Sequence, residues 1–162
     1  MRRAAAFLAF VPIFAHSQEI VLTCTSPLAS YDFSSQYKPF ENDCLQSRML
    51  CDMYNQWKRL ATENENRCSA RNLGYAFRKT FVFDKRSLAA KNGGLAEGRN
   101  HACWDADESS NDFKIVGTRS LITMTRPKES TFNIDRETLA AGYGAERNFK
   151  CSFEERPLKR QL

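Results

Sequence analysis

Thr80-Phe81-Val82-Phe83-Asp84-Lys85-Arg86-Ser87-Leu88-Ala89-Ala90-Lys91 returns without a gap as Thr131-Phe132-Asn133-Ile134-Asp135-Arg136-Glu137-Thr138-Leu139-Ala140-Ala141-Gly142. Six of the twelve positions are identical, and Phe83/Ile134, Lys85/Arg136 and Ser87/Thr138 are conservative pairs. In each copy an alternating apolar stretch runs into a polar turn led by an aspartate. A cysteine-bearing segment follows, with Cys103 in the first and Cys151 in the second. Alternation with period two, a turn and a second alternating run read as a β-hairpin-like unit used twice, over 80–103 and 131–151.

The same period extends outward from both copies. Tyr75, Phe77, Phe81 and Phe83 share one face, with Lys79 breaking the apolar stripe. Asn92-Gly93-Gly94 is a turn signal. Strands are expected at 101–105, 113–117 and 120–126, with a polar turn at 107–112 and another at Pro127-Lys128-Glu129-Ser130. Phe149, Cys151 and Phe153 line one face of a last strand. Glu19 to Thr25 alternates as a first one, with Ile20, Leu22 and Cys24 together. Residues 26–39 are turn-rich. Over 42–64 the period changes: Leu50, Tyr54, Trp57 and Ala61 fall on one helical face, Asn42 or Asp43 can cap the start, and the polar run 62–67 ends it. The fold class is therefore α+β and β-rich, a curved antiparallel sheet or small barrel carrying one disulfide-stapled amphipathic helix.

The six cysteines, Cys24, Cys44, Cys51, Cys68, Cys103 and Cys151, form an even set without a CxxC and fit an oxidising compartment. On an intact helix Cys44 and Cys51 lie two turns apart, about 10.5 Å, too far for a mutual disulfide. Each is expected to reach a different partner, and Cys68 is a candidate for one of them. Cys24 and Cys151 sit among apolar neighbours on the first and last strands, which suits a bridge tying the ends if the sheet closes.

Arg2-Arg3, the apolar run 4–14 and Ala15-His16-Ser17 read as a signal peptide, with Gln18 as the mature N-terminus. Its removal leaves one domain, 18–162, and lowers the formal charge from +5 to +3. That mixed, mildly basic surface is not a nucleic-acid footprint. No second apolar run approaches membrane length, so no membrane insertion is expected after cleavage. The compartment is read as periplasmic or secreted, from a Gram-negative bacterium.

Chemistry is sparse. His16 departs with the leader, so any histidine-dependent site must use His101. No Gly-x-Ser-x-Gly elbow, HExxH or phosphate-binding glycine loop is present. Asp105-x-Asp107-x-Ser109-x-Asn111 lacks the glycine and glutamate of a calcium loop. On a strand, His101, Cys103 and Asp105 would share a face, the pattern of a metal site or a histidine-activated thiolate. A disulfide at Cys103 would close that route. Asp84 and Asp135 read as turn-forming residues.

The segment Phe132 to Leu139 before Cys151 resembles the tail of small exported bacterial proteins, in which an Ile-Asp/Asn-Arg-x-Thr hairpin precedes a cysteine-bearing last strand. Glu19 to Thr25 resembles their first strand. The resemblance implies export and a β-rich fold and carries over no activity. The function expected is a non-catalytic binding or inhibitor-like module with a protein or envelope partner, using no cofactor and no metal. The alternatives are a thiol- or metal-dependent enzyme at His101, Cys103 and Asp105, or a carrier of a small apolar ligand in an aromatic-lined barrel mouth.

Overall fold

The computed structural model describes residues 18–127, 130–144 and 147–157. The expected leader therefore lies outside the described residues, as does the middle of the 127–130 turn.

Eight antiparallel strands form a closed barrel in which each strand pairs with its neighbours in sequence and the last returns to the first. They are β1 (Gln18–Pro27), β2 (Tyr75–Asp84), β3 (Gly94–Ala102), β4 (Ser109–Gly117), β5 (Leu121–Thr125), β6 (Phe132–Asp135), β7 (Ala140–Tyr143) and β8 (Phe149–Pro157). Closure removes the sheet edges that an open sheet would expose. The alternation read from the sequence becomes an apolar lumen, with Ile20, Leu22, Cys24, Phe81, Phe83, Phe113, Ile115, Met124, Phe132, Ile134 and Phe149 buried inside it. No helix among the described residues is long and apolar enough to cross a membrane.

The two repeat copies begin on β2 and β6, four strands apart in the ring and so on opposite walls. Their shared phenylalanines meet across the lumen: the rings of Phe81 and Phe132, each 1% exposed, lie 5.8 Å apart. Their shared aspartates both fold turns. Asp84 accepts from the Arg86 amide at 2.8 Å and starts the short helix α2 (Lys85–Ala89). Asp135 accepts from the amides of Glu137 and Thr138 at 3.0 and 2.8 Å. The likeness stops after Leu88 and Leu139, because Ala89 still belongs to a helix whereas Ala140 already belongs to β7.

Gly98 on β3 makes room for this aromatic interior. It sits opposite Phe81 in register, and the Phe113 ring covers it. A Cβ at this position would come within 2.3 Å of Phe113.

Between β1 and β2 the chain leaves the barrel for four short 3-10 turns and the helix α1 (Arg48–Arg71). This corrects the expected 42–64 boundaries at both ends. Ser47, not Asn42 or Asp43, caps the start by accepting from the Leu50 amide at 3.2 Å. The polar run 62–67 does not end the helix, because its side chains mostly face solvent while Ala61 and Cys68 continue the buried stripe. The helix stops at Asn72, whose left-handed φ of 51° suits a C-cap. Along the buried stripe Leu50 and Tyr54 are partly covered, whereas Trp57 is 42% exposed.

All six cysteines are paired: Cys24–Cys151, Cys44–Cys51 and Cys68–Cys103. Cys24 and Cys151 are register partners on β1 and β8, as expected from their shared apolar face. The expectation that Cys44 and Cys51 avoid one another is overturned. It assumed one continuous helix, but residues 43–45 form a separate 3-10 turn that folds back on the first turn of α1. Cys68 accordingly joins neither of them and pins the end of α1 to Cys103.

Candidate functional site

The sequence placed its sharpest chemistry at His101, Cys103 and Asp105, and the structure separates the three. β3 ends at Ala102, so the expected strand over 101–105 breaks and the shared face is lost. His101 remains on the strand, where its Nδ1 and the Tyr75 hydroxyl are hydrogen-bonded at 3.0 Å. Cys103 is fully buried and bonded to Cys68. A disulfide sulfur is neither nucleophile nor metal ligand. Asp105 lies in the following turn with an exposed side chain, and its carbonyl accepts from Arg71. Among the described residues no three His, Cys, Asp or Glu side chains gather to hold a metal ion.

A different arrangement appears at one end of the barrel, where β1 begins and β8 finishes. A cavity of about 440 Å³ opens there, lined by Ile20, Leu22, Phe83, Leu88, Ala89, Ile122, Leu139 and Phe153, with Lys85, Arg136 and Glu155 at its rim. Ile20, Leu22, Phe83 and Ile122 form its floor as inward-facing strand residues, each 7% exposed or less. Both repeat turns contribute to its lip, Leu88 from α2 and Leu139 from the turn after β6. Leu139 holds an unusual left-handed φ of 57° while its amide donates to the Asp135 carbonyl at 2.9 Å. That conformation costs a non-glycine residue about 1–2 kcal/mol, and here it ends the turn at the cavity wall.

The mouth stays open because two strands differ in length. β7 pairs with β8 only at Ala141↔Phe149 and Ala140↔Lys150. β8 continues for seven more residues, paired with β1 alone among the described strands. Phe153 faces the lumen opposite Leu22, yet it is 58% exposed. An inward-facing phenylalanine left this exposed marks a slot between β8 and the β6–β7 turn. At the rim, Lys85 donates to Glu155 at 2.9 Å and to Gln18 at 3.0 Å, tying α2 to the two terminal strands. Both side chains of that ion pair are partly exposed, so it contributes about 0–1 kcal/mol.

Asp135 shapes the same lip. The Thr138 backbone amide is the main influence holding its carboxyl below the usual aspartate range, with the Thr138 hydroxyl second. A carboxyl lowered on folding supports the turn above its unfolded value and loses that support as pH falls through its lower folded value. The Thr138 amide resonance is therefore expected to titrate only below the ordinary aspartate range, and Asp135→Asn to abolish the step. A midpoint at or above the ordinary value would refute the capping account.

The sequence offered an aromatic-lined mouth but not its members, which come from five separate segments, 20–22, 83–89, 122, 136–139 and 153–155. The apolar face carrying Phe153 was legible, but no local signal says that β7 stops short of it. Comparison with family models, with curated proteins and with solved structures finds no match for the chain.

Proposed function

We propose that this chain is an exported, non-catalytic binding protein that takes a small apolar ligand into the mouth between α2, the β6–β7 turn and β8. The single observation that carries the reading is the apolar cavity entered beside an exposed, inward-facing Phe153. Eight-stranded barrels have interiors just large enough to be filled by side chains or to accept one small ligand. Here the middle is filled and this end is not. The volume falls within the range common for small-molecule sites, and the lining is mostly apolar with a few polar groups at the edge.

Export is supported by the leader-like first segment and by three disulfides. The outward face of the barrel carries Glu97, Arg99, Asp112, Lys114 and Glu154 as exposed residues. That is the reverse of a lipid-facing barrel, whose outer band is apolar. The chain is thus proposed to act in water, outside the cytoplasm.

The test is titration of the mature, oxidised protein with the neutral fluorophore N-phenyl-1-naphthylamine. Saturable one-to-one enhancement is expected, weakened about tenfold by Phe153→Ala through lost apolar contact, with little change in Tm. No saturable enhancement, or identical binding by the variant, would remove the proposal.

A protein partner, the first expectation from the sequence, is favoured by one other observation. Leu45, Met49, Met53 and Trp57, spaced by four residues along α1 and its leading turn, are 87, 69, 41 and 42% exposed. Such a stripe on a helix stapled at both ends suits a docking surface. Replacing Met49 and Met53 together by glutamine is expected to leave fluorophore binding unchanged, which separates the two readings.

A further inference from the structure

The repeat brings a basic side chain as well as a leucine to the apolar mouth. Lys85 and Arg136 are matched positions of its two copies, as are Leu88 and Leu139, and all four line the same cavity. They arrive from opposite walls, because the segments that carry them follow β2 and β6. The two cations differ in what surrounds them. Lys85 Nζ donates to both carboxylate oxygens of Glu155, at 2.9 and 3.1 Å, and to Gln18 Oε1 at 3.0 Å. Those acceptors use up the protons of an ammonium, and Glu155 offsets its charge.

Arg136 makes no ion pair among the described residues. Asp135 and Glu137 share an outer depression with it, but the Asp135 carboxylate is taken up by the amides of Glu137 and Thr138, and Glu137 is exposed. The guanidinium is nevertheless anchored. The Arg136 amide donates to the Ser120 carbonyl at 2.9 Å and its Nη1 to the Thr118 carbonyl at 2.7 Å, which ties the β6–β7 turn to the turn between β4 and β5. One carbonyl takes only part of what a guanidinium fork can donate. With Lys85 and Glu155 offsetting one another, Arg136 leaves the rim of an apolar cavity with one net positive charge and unused donors.

We infer that the mouth takes an amphiphilic carboxylate, with its apolar chain among Leu22, Leu88, Leu139 and Phe153 and its head group on Arg136. The inference rests on the apolar-mouth reading and adds the head group to it. A planar guanidinium matches a carboxylate in shape as well as charge, and charge-assisted hydrogen bonds of that kind are the strong ones. An arginine already fixed by the Thr118 carbonyl loses less freedom on binding than a loose one would. A cationic head group would meet Arg136 and find Glu155 already engaged by Lys85.

The probes are decanoate and decanol, titrated into the mature, oxidised protein at neutral pH and constant ionic strength. The methyl resonances of Leu88 and Leu139 report occupancy of the apolar mouth, and the Arg136 Nε–H resonance reports the head group. Saturable methyl shifts are expected with both probes, and an Nε–H shift with decanoate alone. Decanoate is expected to bind about tenfold tighter than decanol, the worth of one charge-assisted contact. Arg136→Met keeps an unbranched apolar stem and is expected to erase that preference. Glu155→Gln releases the Lys85 ammonium and is expected to raise the preference about threefold. Equal affinity for the two probes, or a preference that survives Arg136→Met, would overturn the inference and leave the apolar reading in place. Should Arg136→Met misfold, Glu155→Gln decides alone, and an unchanged preference there has the same force. Methyl resonances that neither probe shifts would remove the inference and the apolar reading together.

Discussion

Removing the Cys24–Cys151 bridge as C24A/C151A is expected to cost about 4–5 kcal/mol of unfolding free energy, read from urea unfolding at neutral pH. The bridge spans 127 residues, and the cost of closing so long a loop in the unfolded chain falls on the variant. It also joins the strands that meet at the barrel seam, where β1 and β8 pair from Gln18↔Pro157 to Thr25↔Lys150. Domains of this size are stable by about 5–15 kcal/mol, so the loss is a large share of the whole. The same loop relation gives only about 2.5 kcal/mol for C44A/C51A, whose bridge spans seven residues outside the barrel. The contrast is the check. If C24A/C151A costs no more than C44A/C51A, the seam is not held in the way described.

Phe132→Ala is expected to cost about 3–5 kcal/mol, the range for truncating a buried aromatic. Phe132 is 1% exposed, and its ring packs against Phe81, Tyr143 and Phe149 at centroid distances of 5.8, 5.2 and 5.3 Å. It joins opposite walls, since Phe132 stands on β6 and Phe81 on β2, four strands away in the ring. A cavity left here has aromatic walls on three sides that cannot all move inward, so little of the loss is recovered by collapse. Phe153→Ala on the inner face of β8 is the control and is expected to shift stability by less than about 1 kcal/mol, because that ring is already mostly in water. A double variant with Phe81→Ala should show coupling of about 0.5–1.5 kcal/mol between the two repeat phenylalanines. Additive effects would mean the rings do not support one another.

The barrel was legible where side chains alternate. Ile20, Leu22 and Cys24 on the first strand and Phe149, Cys151 and Phe153 on the last all point to the lumen, and the Cys24–Cys151 pairing followed from those faces. The aspartates of the repeat also behaved as their chemistry requires, each folding a turn. What failed was any inference needing a boundary between two helical pieces. The geometry of Cys44 and Cys51 was argued for one rod, and Ser47 divides it into two. The 101–105 face failed for the same kind of reason, since β3 ends one residue before Cys103. Lys79 stood out in the sequence as a flaw in a stripe, but alternation alone cannot say that a lysine is accommodated inside. The apolar mouth depends on β7 being shorter than β8, a difference in partner length that neither strand records in its own residues.

Pairing between β1 and β8 has one more consequence, for the order in which the chain can assemble. Each hairpin from β2–β3 to β7–β8 joins neighbours in sequence, so these contacts become available as the chain lengthens. β1 finds its β2 partner only after the helical excursion, and its other partner is the last strand of all. A chain emerging N-terminus first therefore carries Cys24 unpaired, with one side of β1 unsatisfied, until residues 149–157 have followed. The lumen is enclosed only once that last strand is in place.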